Sequence, residues 1–243
     1  MKLTHLLPAV VAGALAFPAA AAADDRVPAG QVQHTVVLSQ FETNMPVEGQ
    51  TPYYRRSESW VARDRSRSVS TDSRTGALVS ECVTNATQLR CYIAAKNTIQ
   101  VLPKPPAGFG SWEGAAALIR EQLDKGWFTV AGDTTYQGQP AKQLEKTAAA
   151  VGDADSHTVI AEPGTFFPLK RIVSGTNGDQ TYTATEEVVS REVLDPSQVS
   201  FAMSSHPGAT VVDRTQPRRA AAAKRRAAAR RRAAARRRAA ARG

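Results

Sequence analysis

Three histidines downstream of residue 23 are the side chains in this sequence best suited to acid–base or metal chemistry. They are His34, His157 and His206. They lie far apart in the sequence, without the HExxH or HxE spacing that places ligands together and without a nearby cysteine ligand. Histidine spacing therefore predicts neither a metal centre nor a histidine-based catalytic site.

Short segments elsewhere contain residue types that catalysis or calcium binding uses. In GSWEG, residues 110–114, the serine directly follows the first glycine and misses the G-x-S-x-G spacing of a nucleophile elbow, so Ser111 is expected to cap a helix. Asp153-Ala154-Asp155 lacks the rest of an EF-hand loop. Glu186-Glu187 is expected to be a solvated strand end, and no phosphate-binding glycine loop occurs. The sequence therefore predicts a protein that is not an enzyme and uses no cofactor or metal.

The two cysteines, Cys82 and Cys91, lie in LVSECVTNATQLRCYIA. Alternating runs flank Asn85-Ala86, so a hairpin whose turn centres near Ala86 and Thr87 places the two cysteines opposite each other. In an oxidising compartment this pair is expected to form a disulfide. A redox pair or a metal site fits less well, because there is neither CxxC spacing nor a third nearby ligand.

Most of the remaining sequence predicts strands, because its segments are rich in Val, Thr, Ile and Tyr and are separated by turn residues. The strongest hairpin turn is Thr176-Asn177-Gly178-Asp179. The predicted strands comprise residues 33–41, 58–63, 67–72, 77–84, 88–94, 98–102, 127–131, 140–147, 157–161, 166–174 and 180–191.

One helix interrupts these strands. The segment SWEGAAALIREQLDKG begins at the expected cap Ser111 and ends in Lys125-Gly126. Its predicted apolar stripe consists of Ala115, Leu118, Ile119 and Leu123.

Together these elements predict a mainly β (α+β) fold, in which a curved antiparallel sheet forms a half-barrel and one or two helices cover its concave face. Strands with one polar side, such as residues 58–63, favour a single sheet over a sandwich. Such a half-barrel encloses an apolar hollow, or its aromatic residues fill an ordinary core without a ligand. The expected lining residues are Trp60, Phe128, Leu144 and Phe167 on the sheet and Leu118 and Ile119 on the helix.

Residues 1–23 have the order of a secretory signal peptide. A positive start at Lys2 precedes an apolar stretch over residues 6–17, and small residues lead to an expected cleavage after Ala23. The uninterrupted apolar run is too short to span a bilayer comfortably. We therefore expect an exported protein that is periplasmic, associated with the cell envelope or extracellular.

A single predicted domain at residues 24–213 is followed by a low-complexity C-terminal segment, residues 214–243. The positive charge of the chain is concentrated in the Arg/Ala repeat of this segment, residues 218–243, which we call the tail. The net charge is +9, from 31 basic and 22 acidic residues. The tail and Lys2 hold 13 of the basic residues, which leaves residues 24–217 with a net charge of about −4. The basic residues of the tail are Arg218, Arg219, Lys224, Arg225, Arg226, Arg230, Arg231, Arg232, Arg236, Arg237, Arg238 and Arg242.

The RRRAAA repeat of the tail points successive arginine triplets to different sides of a helix, so no apolar stripe forms. Like charges at i and i+4 also oppose a helix, and the tail is expected to be disordered until an anion neutralises it. It would bind nucleic acid through phosphates without sequence preference, whereas outside the cytoplasm the expected partners are anionic envelope surfaces. The alternatives are a nucleic-acid or other polyanion binder with the domain as a structural module, and a tolerated repeat expansion without function.

Several stretches resemble the LolA-like periplasmic lipoprotein carrier superfamily, which includes lipoprotein carriers, RseB-type stress sensors and the LppX and LprG lipid carriers. Trp60-Val61-Ala62-Arg63 resembles the W-V-x-R segment of an early strand. Residues 138–144, GQPAKQL, followed by residues 165–171, TFFPLKR, resemble a recurrent strand pair of the family. Residues 201–213, FAMSSHPGATVVD, resemble its closing strand.

This resemblance implies a monomeric carrier or sensor with a hydrophobic cavity that shields the acyl chain of a lipid or an acylated protein. Each methylene buried in such a cavity contributes about 0.8 kcal/mol, so a dry hollow holds an acyl chain against water. Arg63 is the charged strand residue that matches the family motif.

Overall fold

The computed structural model describes residues 27–46, 51–104, 111–150 and 154–215. The predicted signal peptide and the residues from 216 onward, which include the tail, lie outside the described residues.

The described chain forms one open sheet of twelve strands, in the order β12-β6-β5-β4-β3-β2-β1-β11-β10-β9-β8-β7. Its one α-helix within these ranges, α1, spans Trp112–Asp124. Single 3-10 turns occur at Ala94–Lys96 and Pro196–Gln198. The strands are β1 (Val32–Thr43), β2 (Tyr53–Val61), β3 (Ser66–Asp72), β4 (Leu78–Thr84), β5 (Gln88–Ile93), β6 (Thr98–Pro103), β7 (Phe128–Tyr136), β8 (Gln139–Lys146), β9 (Ser156–Ala161), β10 (Pro168–Asn177), β11 (Gln180–Leu194) and β12 (Thr210–Asp213).

The predicted mainly β architecture is confirmed, and a half-barrel is consistent with a sheet of this width. Strongly twisted open sheets rarely exceed about ten strands without curling, because each strand is rotated relative to its neighbour by about 20–25°. Every neighbouring pair is antiparallel except β12 and β6, which run parallel. A second helix is not present in the part of the chain that the structure describes.

Local sequence signals explain most element boundaries. The Ser111 side chain accepts a hydrogen bond from the Gly114 backbone N–H at 3.1 Å, which confirms the predicted helix cap. The β10–β11 hairpin turns at Gly178-Asp179 as predicted, with Gly178 at φ 62°. Cys82 and Cys91 are directly opposite each other on β4 and β5 and form the predicted disulfide.

The segment predicted as the closing strand, residues 201–213, differs from the expectation. Only Thr210–Asp213 forms a strand, and it lies parallel to β6 at the edge of the sheet. The preceding residues form no strand and instead hydrogen-bond to side chains of β4 and of the β5–β6 turn, as from Ser204 N–H to Glu81 and from Asn97 Nδ2 to the Gly208 carbonyl. Strand β2 also ends earlier than predicted, so Arg63 is exposed in the turn that follows it.

The two sides of the sheet differ in what covers them. We call the side that carries Gln33, Thr35 and Val37 the helix face, because Trp112 of α1 donates hydrogen bonds to the first two of these residues. The opposite side is the outer face. Because side chains alternate along a strand and cross-strand partners share a face, the register assigns each residue to one of the two faces.

Candidate ligand site beneath the helix

Helix α1 lies across the strands rather than along one of them. At its start the Trp112 backbone N–H donates to Gln33 Oε1 at 2.9 Å, and Trp112 Nε1–H donates to Thr35 Oγ1 at 2.8 Å, both on β1. Further along, Ile119 packs on Leu144 of β8. The distance from β1 to β8 is four strand spacings, about 19 Å. The seven residues from Trp112 to Ile119 rise about 10 Å along the helix axis, and the side chains of these two residues reach outward across the remainder. One helix therefore covers the part of the helix face from β1 through β11, β10 and β9 to β8.

Four of the residues predicted to line the hollow lie beneath this helix. Ile119, Phe128 and Leu144 are buried in one apolar cluster, and Phe167 is buried in a neighbouring one. The first cluster also contains Val159 and Ala161, with partly buried Leu123, Trp127 and Phe166 packed against it. The neighbouring cluster comprises Val37, Ala116, Phe167 and Val188.

The other two predicted lining residues lie elsewhere. Leu118 is 40% exposed, because Ala116 and Ile119 are the residues of α1 that point to the sheet and Leu118 is rotated about 100° from Ile119. Trp60 lies opposite His34 on β1, and the two rings stack with centroids 5.0 Å apart. His34 alternates with Gln33 and Thr35, so Trp60 is on the outer face and does not line the hollow beneath α1.

An ion pair lies within the apolar helix face. Arg171 of β10 and Glu186 of β11 are cross-strand partners, and Arg171 Nη1 is 3.6 Å from Glu186 Oε2. Their side chains are only 12% and 5% exposed. Burial lowers the pKa of Arg171, and the nearby Glu186 carboxylate opposes that shift. Arginine nevertheless remains charged in proteins, so the pair is ionised.

The prediction of a solvated strand end at Glu186-Glu187 is therefore wrong for Glu186. Strand β11 continues to Leu194, so Glu186 is in its interior. Alternation places Glu186 on the same side as Ala184 and Val188, which are both buried. The alternation of Tyr182, Ala184 and Val188 in the sequence is a signal that would have identified Glu186 as inward-facing.

His157 of β9 lies beside this ion pair. It is the cross-strand partner of Val173, and Arg171 pairs with Val159, so His157 and Arg171 are diagonal neighbours on the helix face. The rings of His157 and Phe128 make an edge-to-face contact, with their centroids 4.8 Å apart. The buried Nε2 atom of His157 has no hydrogen-bond partner among the described residues.

Burial, together with the positive charges of Arg171 and Lys146, lowers the pKa of His157 to about 3. The imidazole is therefore neutral at physiological pH. Lys146 of β8 is the cross-strand partner of Phe128 on β7, and its Nζ donates a hydrogen bond to the Ala154 carbonyl at 2.5 Å. No local motif in the sequence indicates these roles, because β8, β9, β10 and β11 bring the residues together only in the folded sheet.

The helix face changes character on the other side of β1. There β3 contributes small polar side chains that are buried, Ser66, Ser68 and Ser70, and Ser57 and Ser59 of β2 are cross-strand partners of two of them. The disulfide lies further along on β4 and β5, with Leu89 buried beside it. The apolar clusters that include residues of α1 therefore lie on β1 and on β7 to β11, and a separate apolar cluster surrounds the disulfide.

Within the described ranges, no group of three or more His, Cys, Asp or Glu side chains is placed to hold a metal ion. Nor does any helix in that part of the chain have the length and apolar character needed to cross a bilayer.

No protein-family model and no curated protein sequence matches this chain. The chain is similar to several solved structures. An uncharacterized conserved protein from Thermus thermophilus is 10% identical with a TM-score of 0.47, and the similarity covers 76% of this chain and 91% of that one. MucB in the MucA/MucB complex of Pseudomonas aeruginosa is 15% identical with a TM-score of 0.44, over 75% of this chain and 59% of that one.

A LolA superfamily protein from Nitrosomonas europaea is 8% identical with a TM-score of 0.32, over 74% of this chain and 94% of that one. The similar structures thus include the superfamily that the sequence motifs resemble. Because these TM-scores are below 0.5, the likeness carries no argument about ligand or partner.

Proposed function

We propose that this exported protein is a non-enzymatic carrier or sensor that binds the acyl chain of a lipid or an acylated protein on the helix face, beneath α1. The observation that carries this proposal is the apolar surface beneath a single helix, where Ile119, Phe128 and Leu144 meet. Burial of eight methylenes against it would stabilise a complex by about 6 kcal/mol at about 0.8 kcal/mol each. The resemblance to the LolA-like motifs supports the same ligand class.

The way in which α1 is attached suits it to act as a cover. Trp112 at its first turn donates hydrogen bonds to Gln33 and Thr35, and Arg120 in its second half donates one to the Thr165 carbonyl, between β9 and β10. Towards its C-terminal half, Ile119 and Leu123 are held to the sheet by apolar packing. An acyl chain that replaced these contacts would restore the apolar burial that the helix loses.

Native mass spectrometry of the mature chain, exported by a bacterial host and purified without detergent, tests this function. We expect adducts that release as lipid, or uptake of a fatty acid after delipidation. Ile119→Asp should abolish the adducts, because a carboxylate in the apolar cluster opposes an acyl chain. Leu118→Asp makes the same change on the adjacent exposed residue and should leave them intact. A clean protein mass that fatty acid does not change would mean that the face is a filled core.

We further propose that the tail tethers the protein to anionic envelope surfaces. It has twelve basic residues and no acidic one, and each contributes about 1 kcal/mol near an anionic membrane. The last described strand, β12, lies at one end of the sheet, whereas α1 covers strands towards the other end. A tail bound to a surface would therefore leave the helix face accessible.

The alternative is that the tail is the main functional part and binds nucleic acid or another polyanion, with the folded domain as a structural module. The separation of charge, about −4 in residues 24–217 against +12 in the tail, favours this alternative over a protein with one mixed surface. Deleting residues 218–243 distinguishes the two. Binding to anionic vesicles or DNA should fall steeply with salt and vanish on deletion, whereas fatty-acid uptake by the domain should survive both changes.

A further inference from the structure

The apolar surface beneath α1 contains four ionisable side chains that an acyl chain alone does not require. Arg171 and Glu186 face each other across β10 and β11. His157 on β9 is diagonal to Arg171, and the positive charges of Arg171 and Lys146 both act on it. This group, which we call the polar group, lies on one face and on four adjacent strands, β8 to β11.

Apolar clusters flank the polar group on both sides. Towards the helix are Ile119, Phe128 and Leu144. On the side away from the helix are Phe41, Val173, Tyr182 and Ala184. An ion pair in such surroundings costs desolvation energy and is on average a weak source of stability. The polar group therefore requires a reason other than stability of the fold.

His157 is the member whose hydrogen-bonding capacity is unused. Its Nε2 atom is buried and has no partner among the described residues. A buried polar atom without a partner costs about 1–3 kcal/mol, so such an atom in a folded protein requires an explanation, and a bound ligand is one. In the tautomer with hydrogen on Nε2, this atom is a donor available to an oxygen of a ligand.

The net charge of the polar group favours one sign of charge on the ligand. Arg171 and Lys146 are positive, Glu186 is negative, and the depressed pKa keeps His157 neutral at physiological pH. The sum is one positive charge in an apolar environment. A group with one negative charge, and with oxygen atoms that accept hydrogen bonds, complements it.

We propose that His157 and the Arg171–Glu186 pair bind the singly charged anionic head of the acyl ligand, a carboxylate or a phosphodiester, while its chain follows the Ile119 cluster beneath α1. This inference rests on the proposed function and names the ligand class for the same site. A head oxygen accepts a hydrogen bond from His157 Nε2 and lies within the field of Arg171, which keeps Glu186 as its partner.

Three sixteen-carbon probes test this assignment on the delipidated full mature chain: palmitate, hexadecanol and lyso-phosphatidylglycerol. At least one of the two anionic probes should bind about tenfold more tightly than the neutral alcohol, because a hydrogen bond to a charged group is stronger than one to a neutral group. Preference for palmitate assigns a carboxylate head, and preference for lyso-phosphatidylglycerol assigns a phosphodiester head.

Substitution of His157 shows whether this residue recognises the anionic head group. His157→Leu should weaken binding of the preferred anion about tenfold and leave hexadecanol binding unchanged, and His157→Gln, which keeps an N–H donor, should restore part of the loss. His34→Leu on the outer face is the matched control and should change neither. In the wild-type protein, the 15N resonances of the His157 imidazole should shift when the anion binds, a readout that does not require a variant to fold.

The outcomes separate the two proposals. If none of the probes binds, the proposed function fails. If all three bind with equal affinity, and neither His157→Leu nor the imidazole resonances respond to the anion, the acyl site stands and the head-group assignment is overturned.

Discussion

Glu81 and His206 are 125 residues apart in the sequence, yet Glu81 Oε2 and His206 Nε2 lie 2.9 Å apart on the outer face. Glu81 is only 1% exposed and also accepts hydrogen bonds from the Ser204 backbone N–H and from Arg67 Nε. The His206 ring stacks on Tyr92, with centroids 3.6 Å apart. One buried carboxylate thus anchors the segment between β11 and β12 to the sheet.

Glu81→Gln should lower the free energy of unfolding by about 2–3 kcal/mol, because it removes the charge to which several buried donors bind. Glu58→Gln is the matched control on the same face, where the carboxylate is more exposed and pairs with Arg56. Its expected effect is below about 1 kcal/mol. Urea denaturation measures both, and equal losses would mean that Glu81 does not anchor the segment.

The stability that the Glu81 carboxylate contributes should also depend on pH. Burial acts to raise the pKa of Glu81, but the hydrogen bonds from Ser204 and His206 and the charge of Arg67 outweigh it, so the pKa lies below the usual 4.5. A carboxylate with a depressed pKa stabilises the fold above its unfolded pKa, and this contribution is lost as the pH falls through the folded pKa. The stability difference between wild type and Glu81→Gln should therefore shrink as the pH falls below about 4.5. A constant difference down to pH 2 would contradict the ionised anchor.

His157 should cause a second pH dependence of the free energy of unfolding, at higher pH than that of Glu81. Its pKa is about 3 in the folded chain, owing to burial and to Arg171 and Lys146, against 6.5 as the reference value. The unfolded chain then binds the extra proton between these values, so stability falls as the pH drops below about 6.5, by up to about 1.4 kcal/mol per pH unit.

His157→Leu should remove this contribution. Urea denaturation at pH 7 and pH 5 measures it as a smaller pH effect in the variant than in the wild type. The nearby Glu186 carboxylate is common to both proteins, so it does not produce the difference. Identical pH effects would show that His157 does not stay neutral in the folded chain.

The Cys82–Cys91 disulfide closes a loop with a sequence separation of 9. Replacing both cysteines by serine should destabilise the domain by about 2.5–3 kcal/mol in the chain-entropy model. Because the disulfide lies on β4 and β5, away from the strands that α1 covers, fatty-acid binding should be unchanged while the folded fraction is high. Loss of binding in the folded variant would place the ligand on the other half of the sheet.

Sequence signals that lie within a few residues of one another were sufficient to predict most helices, strands and turns. The Ser111 cap, the Gly178-Asp179 turn and the cysteine hairpin each depend on local chemistry, and the structure contains all three. The position of β12 depends on a distant carboxylate, Glu81, which no local pattern reveals.

Parts of the candidate site required the tertiary structure. Alternation alone indicates that Trp60 and Val61 lie on opposite faces, but which face the helix covers is decided by the bonds from Trp112 to β1. The pair Glu186-Glu187 resembles a solvated end because charged neighbours usually are solvated. The partner Arg171 on the next strand, which helps to make burial of Glu186 tolerable, is distant in the local sequence pattern.

Photo-crosslinking with a palmitate that carries a diazirine on its chain, followed by peptide mass spectrometry, tests the acyl site most directly. We expect labels beneath α1, on Ile119, Leu123, Phe128 or Leu144, and unlabelled palmitate should suppress them by competition. Labels confined to the outer face around Trp60, or to the tail, would contradict it.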